Sequence, residues 1–267
     1  LVIVDVQRGG PSTGLPTKTE QSDLTQALFG RNGEAPCIVV AASSSANCFY
    51  WAFEAARLSL ETMTPTILLT DGYLGNGSQL FRIPKMADLP KINPPFATPN
   101  DPNYAPYNRD PETLVRQWAL PGMDGLRHRI GGLEKLSGKG SVSTDSANHE
   151  QMVKYRKEKV ERVANRIPNQ EVEGAESADL LVVGWGGTEG ALRCAVQELQ
   201  AEGKSIAFTQ FNYIMPLPKN TEEMLKRYKK VVVCELNMGQ FVNYLRMNFQ
   251  GMMFHQYNKV QGLPFEV

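Results

Sequence analysis

The 267 residues are 42% hydrophobic and 21% charged, with 28 basic side chains against 28 acidic ones. This balance gives no net field to draw a polyanion, so nucleic acid is not expected as a partner, and no apolar run approaches the roughly 18 residues that a membrane span needs. Cys37, Cys48, Cys194 and Cys234 stand singly, without the C-x-x-C spacing of a zinc site, redox dithiol or iron–sulfur cluster, so reduced thiols in a cytoplasmic protein are the expectation.

The chain opens on LVIVDV at residues 1–6, a β-branched run with no cap or charged segment before it, as expected for an interior strand of a parallel sheet. Such a strand needs neighbours, so the chain is expected to begin inside a domain. Strands follow at 37–42 and 65–70. Between them lies a helix with Ser43, Ser44 and Ser45 as cap candidates and a stripe of Phe49, Ala52, Phe53, Ala56 and Leu60. From 80 to 121 prolines recur and apolar periodicity fades. Phe81, Ile83, Phe96, Tyr104, Tyr107 and Trp118 are the expected anchors of an ordered connector. A polar patch at 137–148 reads as a mobile loop, and a charged helix is expected over 149–165. The α/β rhythm then restarts with strands at 179–183, 205–209 and 231–235, and helices carrying Ala191, Leu192, Ala195, Val196 and Leu199, then residues 221–228, then a last one from Gly239. The expected fold class is α/β, with two open, mostly parallel sheets, the second independent of the first.

The segment after the first strand carries the chemistry. Ligands of open α/β sheets bind beyond the carboxyl ends of strands, where residues 7–23 would lie. Arg8 offers a planar fork of donors suited to a carboxylate, Gly9, Gly10 and Gly14 let backbone amides approach a ligand, and Ser12, Thr13, Thr17 and Thr19 add hydroxyls. The same residues would also make a glycine–proline turn whose Arg8 pairs with Asp5 or Asp23 on the surface.

The run VDVQRGGPSTGLPTKTEQSDL at residues 4–24 closely resembles the signature of α subunits of 2-oxoglutarate:acceptor and related 2-oxoacid:ferredoxin oxidoreductases. The similarity extends through TPTILLTD and Tyr73, the proline-rich connector, DLLVVGWGGTEGAL, VVVCELNMGQF and the terminal NKVQGLPF. The resemblance implies that 1–80 is the later part of a pyrimidine-type thiamine diphosphate domain, 81–177 a connector with a charged helix, and 178–267 a domain like the C-terminal one of transketolase. It implies oxidative decarboxylation of a 2-oxoacid, 2-oxoglutarate first, to acyl-CoA and carbon dioxide; pyruvate or a branched-chain acid is the alternative within that chemistry. Coenzyme A is then a co-substrate, and thiamine diphosphate with magnesium the cofactor. A β subunit would supply the diphosphate-binding domain and an iron–sulfur cluster, in a hetero-oligomer that reduces ferredoxin or a similar acceptor. Arg8 aligns with the arginine that holds the substrate carboxylate, and Thr17 with a hydroxyl residue of the substrate pocket. Gly9, Gly10, Ser12 and Thr13 are the remaining substrate-site candidates. The residues that activate the cofactor would precede Leu1, so none is named here. A non-catalytic assembly module of the same fold is the alternative from another functional class.

Other motifs carry less. Residues 184–190, GWGGTEG, follow a strand and open a helix, but the spacing departs from G-x-G-x-x-G and no acidic residue ends the next strand; a tight turn capped by Thr188 is expected. Residues 235–240 are expected to cap a helix rather than to contact coenzyme A. His128, His149 and His255 lie apart, which indicates neither a metal site nor a relay.

Overall fold

The computed structural model describes residues 1–266. In chain order the elements are β1 (Val2–Gln7), α1 (Leu24–Phe29), β2 (Ile38–Ala41), α2 (Cys48–Thr62), β3 (Thr66–Asp71), α3 (Gly72–Asn76), α4 (Ser146–Arg162), β4 (Leu180–Trp185), α5 (Glu189–Ala201), β5 (Ile206–Phe211), β6 (Tyr213–Met215), α6 (Thr221–Leu225), β7 (Lys230–Glu235), α7 (Gln240–Asn248) and β8 (Phe254–Asn258). They form two four-stranded sheets, ordered β1-β3-β2-β6 and β5-β4-β7-β8. Every pairing is parallel except β2 with β6. The expected α/β class with two mostly parallel sheets is therefore what the chain adopts.

The sheets are not independent, however. β6 leaves the second sheet through Asn212 and adds antiparallel to β2, where the Ala41 amide donates to the Asn212 carbonyl at 2.8 Å. Alternation along the first sheet then divides its side chains between two layers. Val39, Ala41, Ile67 and Leu69 face the second sheet and join Leu181, Val183, Phe211, Val231 and Val233 in one shared core. Ile38, Val40 and Leu68 face the other way, onto α2 and α4. On the far side of the second sheet, Val182, Phe208 and Cys234 pack with Leu192 and Val196 of α5. Trp185, Phe211 and Phe241 are fully buried in the shared core, where each such ring contributes about 2–3 kcal/mol of hydrophobic burial.

Among the described residues β1 pairs with β3 alone, and Ile3, Val4 and Val6 are about half exposed. Three local expectations are corrected. The buried face of α2 is Ala55, Leu58, Ser59 and Thr62, while Phe49 and Leu60 of the expected stripe stay 40% exposed. Phe49 packs instead on Tyr50 and Phe81, with ring centroids 5.5 and 5.6 Å away. In the connector, Trp118 anchors through its indole N–H to the Leu60 carbonyl at 2.7 Å, but Ile83 is 82% exposed and anchors nothing. The patch expected to be mobile is tied down by backbone hydrogen bonds from Leu136 to Ser141 and from Ser143 to Glu134, and its last residues already belong to α4, which Asp145 caps at 2.7 Å through the Asn148 amide.

Candidate active-site loop

The loop rises where β1 ends. Its neck is closed by the Gly9 amide on the Lys18 carbonyl at 3.0 Å, and its interior by the Leu15 amide on the Gly9 carbonyl at 2.8 Å. Ser12 and Thr17 sit at φ of 57° and 65°, where a β-branched threonine is strained by about 1–2 kcal/mol. Strain held in a loop at a sheet's carboxyl end marks the expected place for a binding function.

All six candidates from this segment lie on the loop. Arg8, Gly10, Ser12, Thr13 and Thr17 are exposed, and Gly9 is buried in the neck. The Arg8 guanidinium forms no ion pair with Asp5, Asp23 or any other carboxylate among the described residues, which removes the surface-pair alternative. Near the base of the loop the carboxyls of Asp5 and Glu20 are pushed up, first by burial and then by the charge of Asp23. An exposed, unpaired guanidinium on a hydrogen-bonded glycine loop is a group available to an incoming anion. Thr17 lines a small cavity of about 250 Å³ with Thr19, Tyr73, Asn76, Leu263 and Pro264, which brings the terminal segment of the chain against the loop.

Below the loop the chain is extended, and its side chains alternate. Thr19 and Gln21 point inward, 4% and 0% exposed. Thr19 donates its hydroxyl to Asp71 at 3.2 Å. Gln21 donates its amide to the Trp185 carbonyl at 2.7 Å and accepts from the Leu236 amide at 2.8 Å. The Ser22 hydroxyl then reaches the Arg8 carbonyl at 2.9 Å, and the Asp23 amide donates to Gln7 Oε1 at 3.1 Å.

Two fully buried carboxylates, neither singled out by the sequence reading as a site residue, organise the strand ends around this strap. Asp71 accepts from Thr19, from the Tyr73 and Leu74 amides that open α3, and from the Gly187 amide at 3.0 Å. Glu235 accepts from the Trp185 indole, from Asn237 and from the Phe241 and Val242 amides of α7. Burial pushes both carboxyls up, and these donors offset only part of that rise. Residues 235–240 are thus a helix cap, as expected. Thr188 stands at the N-cap of α5, but its hydroxyl donates to the Trp185 carbonyl at 2.8 Å rather than accepting from the helix. Of the histidines, His149 meets Glu134 at 2.7 Å and His255 lies exposed on β8. Among the described residues no three His, Cys, Asp or Glu side chains gather as a metal site, and no helix is long and apolar enough to cross a membrane.

Known proteins with the same pattern identify the family. Residues 1–145 match the thiamine diphosphate-binding family of pyruvate flavodoxin/ferredoxin oxidoreductases, and residues 178–265 match pyruvate:ferredoxin oxidoreductase core domain II. The chain is 47% identical over 266 residues to the 2-oxoglutarate oxidoreductase subunit KorA of Mycobacterium tuberculosis, covering 99% of this chain and 40% of that protein. It is 28% identical over 253 residues to the 2-oxoglutarate synthase subunit KorA of Methanothermobacter marburgensis, covering 94% of this chain and 66% of that one. A solved 2-oxoglutarate:ferredoxin oxidoreductase from Magnetococcus marinus, with 2-oxoglutarate, coenzyme A and succinyl-CoA bound, superposes with a TM-score of 0.90 at 34% identity, over 99% of this chain and 46% of that one. The chain therefore spans between 40% and 66% of the length of these relatives. With both of its sheets and its signature loop inside the matched segments, the chain belongs to the pyruvate flavodoxin/ferredoxin oxidoreductase family.

Proposed function

We propose that this chain is the substrate-holding part of an α subunit of a 2-oxoglutarate:ferredoxin oxidoreductase, which converts the 2-oxoacid and coenzyme A to acyl-CoA and carbon dioxide while passing two electrons to ferredoxin or a similar acceptor. One observation carries the reading: Arg8 stands exposed and unpaired on a strained loop at the carboxyl end of β1, the same loop whose Thr17 lines a cavity. Arg8 holds the carboxylate beside the ketone through its planar fork. Because that carboxylate leaves as a neutral molecule, the contribution of Arg8 is orientation rather than uniform binding. Thr17 pairs with polar groups further along the substrate.

Thiamine diphosphate, with magnesium, would supply the nucleophilic carbon and electron sink of such a reaction. The carboxylates placed here do not fit a role in activating it, since Asp71 and Glu235 are buried under donors from this chain itself. No step is therefore assigned to the cofactor on these residues. A β subunit would carry the diphosphate-binding domain and an iron–sulfur cluster, in a cytoplasmic hetero-oligomer. Within this chain, 1–80 is the pyrimidine-type portion, 81–177 the connector and 178–267 the transketolase-C-terminal-like portion. The test is 2-oxoglutarate- and coenzyme A-dependent reduction of ferredoxin or a viologen by the assembled enzyme, compared with its Arg8→Ala variant. Unaltered kinetics in the variant would end the assignment.

A further inference from the structure

The glycine turn of the second sheet, residues 184–190, is not a dinucleotide site, yet its shape is specific. A Cβ at Gly186 would lie 2.7 Å from Gln21 Nε2, and a Cβ at Gly187 would lie 2.3 Å from Asp71 Oδ2, both closer than real side chains come. Both missing side chains make room for partners of the signature loop: Gln21 directly, and Asp71 as the acceptor for Thr19. Further donors surround the same segment. Asn237 Nδ2 donates to the Gln21 carbonyl at 2.9 Å, the Gln21 amide donates to the Leu236 carbonyl at 3.1 Å, and Gln240 Nε2 donates to the Ser22 carbonyl at 2.8 Å.

We infer that this turn and the end of β7 form a socket for Gln21, and that Gln21 is a positioning residue that sets where Arg8 stands. The path is short. Gln21 is fixed at both ends of its side-chain amide, its neighbour Ser22 donates to the Arg8 carbonyl, and the Gly9–Lys18 neck bond closes the loop directly above. A loop held at φ values that its own residues resist needs anchors outside itself, and Gln21 supplies them from the second sheet. The role assigned to Gln21 rests on reading Arg8 as the group that holds the substrate carboxylate.

The test uses the assembled enzyme and two variants. Gln21→Met keeps the volume of the side chain and removes both of its hydrogen bonds. Ser22→Ala removes one hydroxyl at a half-buried position and keeps the inference testable if Gln21→Met fails to assemble. Hydrogen exchange of the amides at 9–18 is read alongside 2-oxoglutarate kinetics. The expected result for Gln21→Met is roughly tenfold faster exchange in the loop with β3 unchanged, and the kinetic pattern of a misplaced Arg8, with kcat lowered and KM raised by roughly tenfold each; Ser22→Ala moves exchange and kinetics in the same direction, by roughly threefold. Unchanged loop exchange in both variants overturns the inference. So does faster exchange with unchanged KM, in an enzyme that Arg8→Ala inactivates. If Arg8→Ala instead leaves the kinetics intact while Gln21→Met still loosens the loop, it is the substrate reading that has failed, and the assigned role falls with it.

Discussion

Lys159 on α4 offers a quantitative test of how the connector is held. Its ammonium donates to the Met63 carbonyl at 3.0 Å and meets no carboxylate among the described residues. Its charged neighbours are of its own sign. Arg116 donates to the Pro106 carbonyl at 3.1 Å and lies 4.2 Å over the Tyr107 ring; Arg109 donates to the Tyr107 carbonyl at 3.1 Å and lies 4.7 Å over Tyr155. Burial, and then the charges of Arg116 and Arg109, bring Lys159 from 10.5 down to about 8. At neutral pH both the folded and the unfolded chain carry this proton, so the fold bears a penalty of about 3 kcal/mol. Between pH 8 and 10.5 the unfolded chain binds the proton more tightly than the folded one, so stability rises with pH through that window. Lys159→Met removes the penalty and leaves the Met63 carbonyl without its donor, a loss of about 1 kcal/mol, so the variant should be more stable by about 2 kcal/mol at pH 7. The advantage should vanish by about pH 10.5. Urea unfolding followed by tryptophan emission at both pH values measures it. A destabilised variant at pH 7, or a difference that does not change with pH, would refute the account.

Other outcomes follow from the site. Arg8→Ala and Arg8→Lys should both lose turnover with every 2-oxoacid and raise KM, by roughly ten- to a hundredfold, since a point charge does not replace the planar fork; steady-state assays with two or more 2-oxoacids check this. Thr17→Ala should change the ratio of activity between short and dicarboxylic 2-oxoacids, and an unchanged ratio counts against its place in the pocket. Glu235→Ala strands the Trp185 indole and two α7 amides, so chemical denaturation should show a loss of about 3–5 kcal/mol with a shift in tryptophan emission. The isolated chain should show no 2-oxoacid-dependent dye reduction, whereas the full-length α subunit combined with a subunit that carries the diphosphate-binding domain and cluster should show it.

Much of this was legible in the residues. The buried strands announced themselves as apolar runs, and the signature loop stood out by its glycines and arginine. The phase of α2 was not legible, because CFYWAF is apolar around most of its circumference and two faces compete; tertiary packing chose Ala55 and Leu58. β6 escaped because a three-residue antiparallel edge strand leaves almost no periodic trace. Asp71 and Glu235 did leave a signal. Each ends a parallel strand with an apolar centre shortly before a helix, where a carboxylate meets free amides and the positive end of the helix dipole. Gln21 gave none, since its burial depends on a sheet more than 150 residues away in sequence.

The arrangement of the loop follows from what its conformation demands. Eleven residues from Arg8 to Lys18, with few bonds among themselves and two non-glycine residues at positive φ, cannot offset their own ordering entropy, which runs to about 1–2 kcal/mol per residue. Their base can be ordered cheaply only where other polar groups already need partners. The carboxyl ends of β4 and β7 present such groups, since the Trp185 carbonyl, the Leu236 amide and the Gly187 amide are all buried and bonded to Gln21 or Asp71. Removing the strap would leave the Leu236 amide without its acceptor and the Leu236 carbonyl without its donor, at about 1–3 kcal/mol each, so the strap in turn stabilises the end of the second sheet. The alternation of Thr19 and Gln21 with Lys18, Glu20 and Ser22 makes this possible: one face of the extended strap is fixed in the protein, which leaves Arg8 and Thr17 at the loop's surface with their side chains uncommitted.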